Sequence, residues 1–434
     1  LIEMKNHPKI DLQLIVTSSA VLERYGKVVD VMKSDGFSIN EEIFSVIEGG
    51  DLSHSVKDVG MCLIELSSAL KRLKPDAVVT IADRYETIAN AISASYMNIP
   101  LIHIQGGEIT GSIDNKVRHA ITKLSDVHLV ASEQAKKRVI SMGENPKMVK
   151  NTGCPSIDLA KEILESPNLD FDPFEKYTGI GPRFDHHSGY IVVLQHPVTT
   201  EFGKSFNQTN ITIDAINNLK IPVFWFWPNL DAGADDTSKA IRVFREKNNL
   251  APFHFFKNML PHDFLRLISS SICLVGNSSV GIRESAFLGV PVVNIGSRQN
   301  GRERGPNVKD VEHNIDQIQE AILYQKQKGK YSSKKIINAM YEIKPPFNVN
   351  RAALETAKEA IKDNNWTKKA IKHNKLWSKK IFNVLKQNKI KTNKPSANFF
   401  LMSFEKTKIN AQSVFKKLRN KGIILREMKQ YKIH

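Results

Sequence analysis

Four stretches of this 434-residue chain put charged, hydroxyl or glycine residues directly after an apolar run, where open α/β sheets bind ligands. In the first, Asp83-Arg84-Tyr85-Glu86, Asp83 caps the next helix or works with Arg84, whose guanidinium suits an anion. The second runs from His103-Ile-Gln-Gly-Gly-Glu108 to Asp114. Gly106 and Gly107 open backbone conformations closed to other residues and give a ligand room to approach. Asp83, Glu108 and Asp114 converge on one rim. They are turn and cap residues, or carboxylates whose mutual repulsion splits their pKa values for acid–base work. The third, Gln195-His196-Pro197, offers a structural histidine or a phosphate contact. In the fourth, Gly276-Asn277-Ser278-Ser279-Val280-Gly281, backbone N–H groups at a helix start and two hydroxyls suit a diphosphate. It is not a P-loop, because no Lys-Ser/Thr follows. Glu284, two turns on, is placed to accept from ribose hydroxyls. Arg298, Arg302 and Arg304 follow the last strand and are placed to add charge facing a nucleotide, at least one of them being only a surface residue.

Alternating strands and helices must position these groups. Leu12–Val16, Ala77–Ile81, Leu101–Ile104 and Val127–Val130 read as buried parallel strands, and Gly60–Leu73, Glu86–Asn98 and Asn115–Ser125 as helices between them. Ser166–Ser188, rich in Pro and Gly, reads as a linker. A second block has strands at Tyr190–Leu194, Val223–Trp227, Phe253–Phe256, Ile272–Val275 and Val292–Ile295. The fold class is α/β: two Rossmann-like lobes, residues 1–165 and 189–331, with a cleft between them. Residues 333–434 follow as a small α+β segment.

Composition narrows the function classes. Hydrophobic residues make up 41% and charged residues 25%, a globular balance. No apolar run reaches transmembrane length, and the N-terminus is not a secretory signal. Three scattered cysteines fit a reducing cytoplasm better than a disulfide framework. No metal-ligand spacing occurs, and no cofactor is called for. The net charge of +17 is confined to the tail. Residues 1–330 hold 37 Lys+Arg and 39 Asp+Glu, and residues 331–434 hold 25 and 6. With no interleaved aromatic pattern, this reads as a Lys-rich helical surface rather than a nucleic-acid site.

The motifs together resemble a known family. DRYE, HIQGGE with GSID, RHAITKLSD, GCPSID, LQHPVTTE, NLDAGADD and GNSSVGIRESAFLGVPVVNIGSRQNGRE look like the hydrolysing UDP-N-acetylglucosamine 2-epimerases, in order and with the right spacing over about residues 10–331. The resemblance implies a GT-B-type fold and elimination of UDP across C1–C2. Water then adds with inversion at C2, giving a free manno-configured sugar plus UDP for sialic- or legionaminic-acid biosynthesis. It assigns acid–base chemistry to Asp83 and Asp114, beside Glu108. It puts the diphosphate on Arg84, His196, Ser278 and Ser279, the ribose on Glu284 and a further nucleotide contact on Arg298. Gln105 stands where some members carry Glu, and an amide cannot act as a carboxylate base. That departure admits a 2,4-diacetamido sugar as substrate. The family opens with a strand and an Arg-bearing loop. This chain starts at Leu1, not Met, so that strand is expected to be missing. The resemblance also implies a cytoplasmic homo-oligomer, dimer or tetramer, with a UDP-sugar as partner and no nucleic acid or membrane.

The tail resembles another family. SSKKIINAMYEIKPPFNVNRAALETAKEAIKD, KPSANFFLMSF and KKLRNKGIILREMKQY look like the C-terminal part of histidinol-phosphate aminotransferases. Arg426 falls on a basic substrate-side position, but no Schiff-base lysine is identified. The expectation is an aminotransferase fragment without PLP, joined near Ser333 by natural fusion, gene deletion or assembly error. Phe347, Trp366, Trp377, Phe382, Phe399, Phe400 and Phe415 are expected to lack their original partner lobe. The competing reading of the whole chain is a chimera of epimerase and aminotransferase pieces with impaired catalysis.

Overall fold

In the computed structural model, residues 1–47, 51–332, 364–393, 400, 402–404 and 410–421 are described. The chain divides into two compact units, Leu1–Ala339 and Met340–His434. In the first, short β-branched and aromatic runs form strands that helices cover on both faces, as parallel pairing requires. Its N-terminal strands are β1 (Ile15–Thr17), β2 (Glu41–Ile43), β3 (Val78–Ile81), β4 (Leu101–Ile104), β5 (Val127–Val130) and β6 (Val149–Asn151). They form two sheets rather than one. β1 pairs in parallel with β2 alone, and β3-β4-β5-β6 form a separate parallel sheet. β3 is an edge, and Ile81 at its end is 53% exposed.

The second lobe carries β7 (Gly179–Ile180), β8 (Ile191–Leu194), β9 (Val223–Phe226), β10 (Phe253–Phe256), β11 (Cys273–Gly276), β12 (Val292–Ile295) and β13 (Val308–Val311). Their order is β13-β12-β11-β8-β9-β10-β7, parallel except for β7 on β10. The break in order between β8 and β11 is a topological switch point, where such sheets bind ligands. Two large cores cover this sheet. Trp225, Ile213, Phe253 and Ile318 belong to one, and Phe224, Tyr190, Phe256 and Leu267 to the other. Among the described residues, the N-terminal lobe has four smaller clusters, none with more than five buried residues. The helix Pro155–Glu165 packs Ala160 and Ile163 into the second lobe's core.

The strands expected at 101–104, 127–130, 253–256 and 292–295 stand where the sequence puts them. The helix expected from Gly60 begins at Leu52, because Asp51 caps it by accepting from the Ser53 and His54 N–H groups. β2, β6 and β13 were not foreseen. The 166–188 stretch holds a helical turn, Pro173–Lys176, then β7 and a 3-10 turn, His186–Ser188. No helix among the described residues is long and apolar enough to cross a membrane.

The second unit contains a helix Asn364–Gln387, an antiparallel pair β14 (Lys391–Thr392) and β15 (Met402–Ser403), and a helix Ala411–Arg419. Trp377 is exposed, with Ile371, Leu376, Ile381 and Val384 on the same helix. Phe382, Phe400 and Phe415 are half-buried. Phe347, Phe399, Arg426 and the side chain of Trp366 lie outside the described residues.

Candidate active site

A cavity of about 150 Å³ lies in the cleft of the first unit, at the carboxyl ends of β3, β4, β9 and β12. Asp83, Asp114 and Asp231 line it with five guanidiniums, those of Arg84, Arg118, Arg283, Arg298 and Arg302. The excess of positive charge suits a polyanion, and the carboxylates provide for proton transfer.

Asp83 follows β3 through Ala82, which turns the chain with φ +60°. Its carboxylate pairs with Arg118 and does not cap the following helix, whose start has no side-chain cap. Arg118 is fully buried and also donates to the Glu108 carbonyl at 3.0 Å. Burial, then Arg302, Arg283 and Arg138, push its pKa down to about 8. Arg84 donates to Glu86 at 2.6 Å. Although burial opposes its charge, Glu86 and Asp231 more than compensate, so it stays cationic.

Gln105 ends β4 in a left-handed conformation, φ +64°. Its oxygen accepts from Arg283 at 3.1 Å, and its nitrogen donates to Cys154 Sγ at 3.1 Å. The amide therefore links the two lobes. The neighbouring glycines serve packing rather than ligand access. A Cβ on Gly107 would lie 2.5 Å from the Ala135 carbonyl oxygen, and one on Gly106 2.9 Å from His103 Nδ1. Glu108 does not join the aspartates. Its carboxylate accepts from Arg302 at 2.6 Å and lines a neighbouring cavity with Cys154, Arg283 and Glu303.

Asp114 is the first residue of the helix Asp114–Leu124 and accepts from Ser112 Oγ at 2.8 Å. Burial and then Asp231 raise its pKa, against Arg298, Ser112 and Arg84. Asp231, in the loop after β9, keeps its charge. Burial disfavours that charge, but Arg298, Arg84 and an Asn229 hydrogen bond hold its pKa below the ordinary carboxylate value.

His196 follows β8. Asn277 clamps its backbone with two bonds of 2.8 Å, and its Nδ1 accepts from the Asn229 N–H at 3.3 Å. Burial, then Arg298, push its pKa down to about 3, so the ring is neutral and its Nε2 carries the proton. It offers a ligand a hydrogen bond, not a positive charge. Ser278 Oγ caps the next helical turn through the Val280 N–H at 3.4 Å. Ser279 lines the cavity and accepts from Arg283 at 3.3 Å. Glu284 is buried just outside the cavity lining, 3.9 Å from Arg283. Arg298 reaches Asp231 at 3.3 Å and Asp114 at 3.8 Å. Arg304 instead pairs with Asp310.

The structure thus gathers Asp83, Arg84, Gln105, Asp114, Ser279 and Arg298 around one cavity. His196, Glu108, Ser278 and Glu284 lie outside its lining. Sequence reasoning missed Asp231, Arg118, Arg283 and Asn229 as site residues. Arg118 was within reach, since it lies at i+4 from Asp114 on one helix face.

Comparisons with known proteins identify the family and the fold. The family profile for UDP-N-acetylglucosamine 2-epimerase matches residues 2–361. The chain belongs to that family. The UDP-N,N'-diacetylbacillosamine 2-epimerase (hydrolyzing) of Legionella pneumophila is 34% identical over 328 residues, 75% of this chain and 84% of that enzyme. The crystal structure of the UDP-GlcNAc 2-epimerase from Neisseria meningitidis bound to UDP-GlcNAc superimposes with a TM-score of 0.60 at 17% identity. That match covers 79% of this chain and 94% of the other, so the epimerase family's GT-B architecture is also that of the first unit. A 96-residue segment, 22% of the chain, is 46% identical to the histidinol-phosphate aminotransferase of Pelagibacter ubique and spans 27% of that enzyme.

Proposed function

We propose that this chain is a hydrolysing UDP-sugar 2-epimerase acting on UDP-N-acetylglucosamine or a 2,4-diacetamido relative. The observation that carries the reading is the pairing of aspartates with an excess of guanidiniums in one buried cavity. The guanidiniums, Ser279 and the neutral His196 hold the diphosphate, and Glu284 holds the ribose. One aspartate takes the C2 proton as the C1–O bond breaks, and UDP leaves with the bonding pair. Water then adds, oxygen to C1 and a proton to C2 from the opposite face. Gln105 does not move protons in this scheme and serves to hold Arg283. The diacetamido option rests on Gln105 and on the name of the Legionella relative. The free sugar fits a cytoplasmic route to nonulosonic acids.

The test is incubation with each UDP-sugar in deuterium oxide, following UDP by chromatography and the sugar by NMR. A free manno-configured sugar with deuterium at C2 is expected. A 2-epimerised UDP-sugar with no free UDP would reassign the enzyme to the non-hydrolysing type. A second reading, a chain that binds the nucleotide sugar without turnover, is favoured by the split of the N-terminal sheet. UDP raising the melting temperature while no UDP-sugar is consumed would support it.

A further inference from the structure

Asp231 comes from the second lobe and faces Asp114 from the first. Both line the cavity, and a single group, Arg298 Nη2, stands between their Oδ2 atoms at 3.3 and 3.8 Å. Asp231 is buried and held in place by Asn229 Nδ2 at 2.7 Å. Asp114 likewise has one neutral partner, Ser112 Oγ at 2.8 Å, but lies farther from Arg298. One guanidinium cannot compensate two buried carboxylates equally, and like charges at such range do not both ionise freely. We infer that Asp231 is a further positioning residue of this site: by taking the larger share of Arg298 across the cleft, it leaves Asp114 as the carboxyl that holds the exchangeable proton. The inference rests on the functional reading above and adds a residue that the carboxylate triad read from sequence did not contain.

The charged groups acting on Asp114 come from three other elements: Arg84 after β3, Asp231 after β9 and Arg298 after β12. His196, neutral, lies on the Asp231 side. Asp231 favours the protonated form of Asp114, and both arginines oppose it. Removing the Asp231 charge therefore frees Arg298 for Asp114 and lowers the pH at which Asp114 titrates. Removing Arg298 raises it. The proton-holding arrangement also needs residues from both lobes.

The experiment follows the Asp114 side-chain carboxyl by NMR in protein carrying 13C-labelled aspartate, with the signal identified by its loss in Asp114→Asn. No turnover is needed. Asp231→Asn is expected to move the Asp114 midpoint down by about one pH unit, Arg298→Gln to move it up, and Asp231→Glu to leave it near wild type. A merely structural role would not move it in opposite directions in the two variants. An unmoved midpoint in Asp231→Asn, or shifts of the same sign in Asp231→Asn and Arg298→Gln, would overturn the inference. In parallel, the limb of the pH profile of UDP release governed by Asp114 should follow the NMR midpoint. Wild-type protein that releases no UDP while the NMR shifts occur would overturn the functional reading and leave the inference standing.

Discussion

Asp83 and Asp114 look alike in sequence, but losing the charge of each should have different consequences. Both Asp→Asn variants are expected to cut UDP release at least ~100-fold, the usual loss when a general acid or base is removed. Asp83→Asn also strands the buried Arg118 guanidinium. It should therefore destabilise the protein by ~3 kcal/mol, as when one partner of a buried pair is removed. Asp114→Asn leaves Arg298 its bond to Asp231 and should melt near wild type. Melting curves beside turnover separate the two, and equal melting temperatures would mean that Arg118 does not depend on Asp83. A second contrast divides the nucleotide-side residues. Glu284→Gln should weaken UDP binding by ~1–3 kcal/mol if it loses a charged hydrogen bond to ribose. Ser278→Ala should mainly cost ~1 kcal/mol of stability, because Ser278 is a cap. Calorimetry with UDP beside thermal melts checks both.

Among the elements, β4 carries a pH-sensitive joint. His103 Nε2 donates to the Ala82 carbonyl at 2.9 Å, and Nδ1 meets Thr122 Oγ1 at 3.2 Å, joining the end of β3 to the helix that begins with Asp114. Burial pushes its pKa down to about 4, whereas an unfolded histidine titrates near ~6.5. The folded state thus binds fewer protons than the unfolded one between these values. The stabilisation is fully present above about pH 6.5 and is lost as pH falls to about 4, ~3 kcal/mol in all. His103→Gln should flatten that part of the stability–pH curve in denaturant titrations, and an unchanged slope would mean that other groups set it. Helix Leu52–Leu73 offers a simpler check. Gly60 has nothing within 4 Å of a built Cβ, so Gly60→Ala should stabilise by ~1 kcal/mol. Many of these elements were legible in sequence because buried parallel strands read as continuous apolar runs, as Val127–Val130 and Phe253–Phe256 show. β2, β6 and β13 carry Glu41, Lys150 and Asp310, and that polarity hid them. The site was half legible for a related reason. Asp83 and Asp114 announce themselves at strand and helix ends. Arg283 acquires meaning only from Gln105, 178 residues away, and Asp231 only from Asp114 across the cleft. Local pattern does not encode such pairs.

For the whole molecule, the tail tests how independent the two units are. Its helix exposes Ile371, Leu376, Trp377, Ile381 and Val384, more apolar surface than a solvated helix needs, and such surface favours association. Deleting residues 333–434 should leave the melting temperature of the first unit nearly unchanged and reduce aggregation in light scattering. A large drop in melting temperature would show that the tail supports the lobes.

The two-piece sheet of the N-terminal lobe has a consequence for how the protein comes apart. Among the described residues, β1 and β3 each have one neighbour where an interior strand has two, and their outward amides lack a ladder partner. Backbone amides of these strands should exchange with deuterium through small local openings, while those of β8, β9 and β11 should exchange only on global unfolding. Asp83 and Asp114 sit on the loosely knit side, and Ser279, Arg298 and Asp231 on the tight one. On warming, Asp83 and Asp114 would leave register before the opposite wall of the cavity loosened. Catalysis would then fade over a temperature range in which the second lobe remains folded and able to hold a nucleotide, so the protein would become a binder before it became a denatured chain.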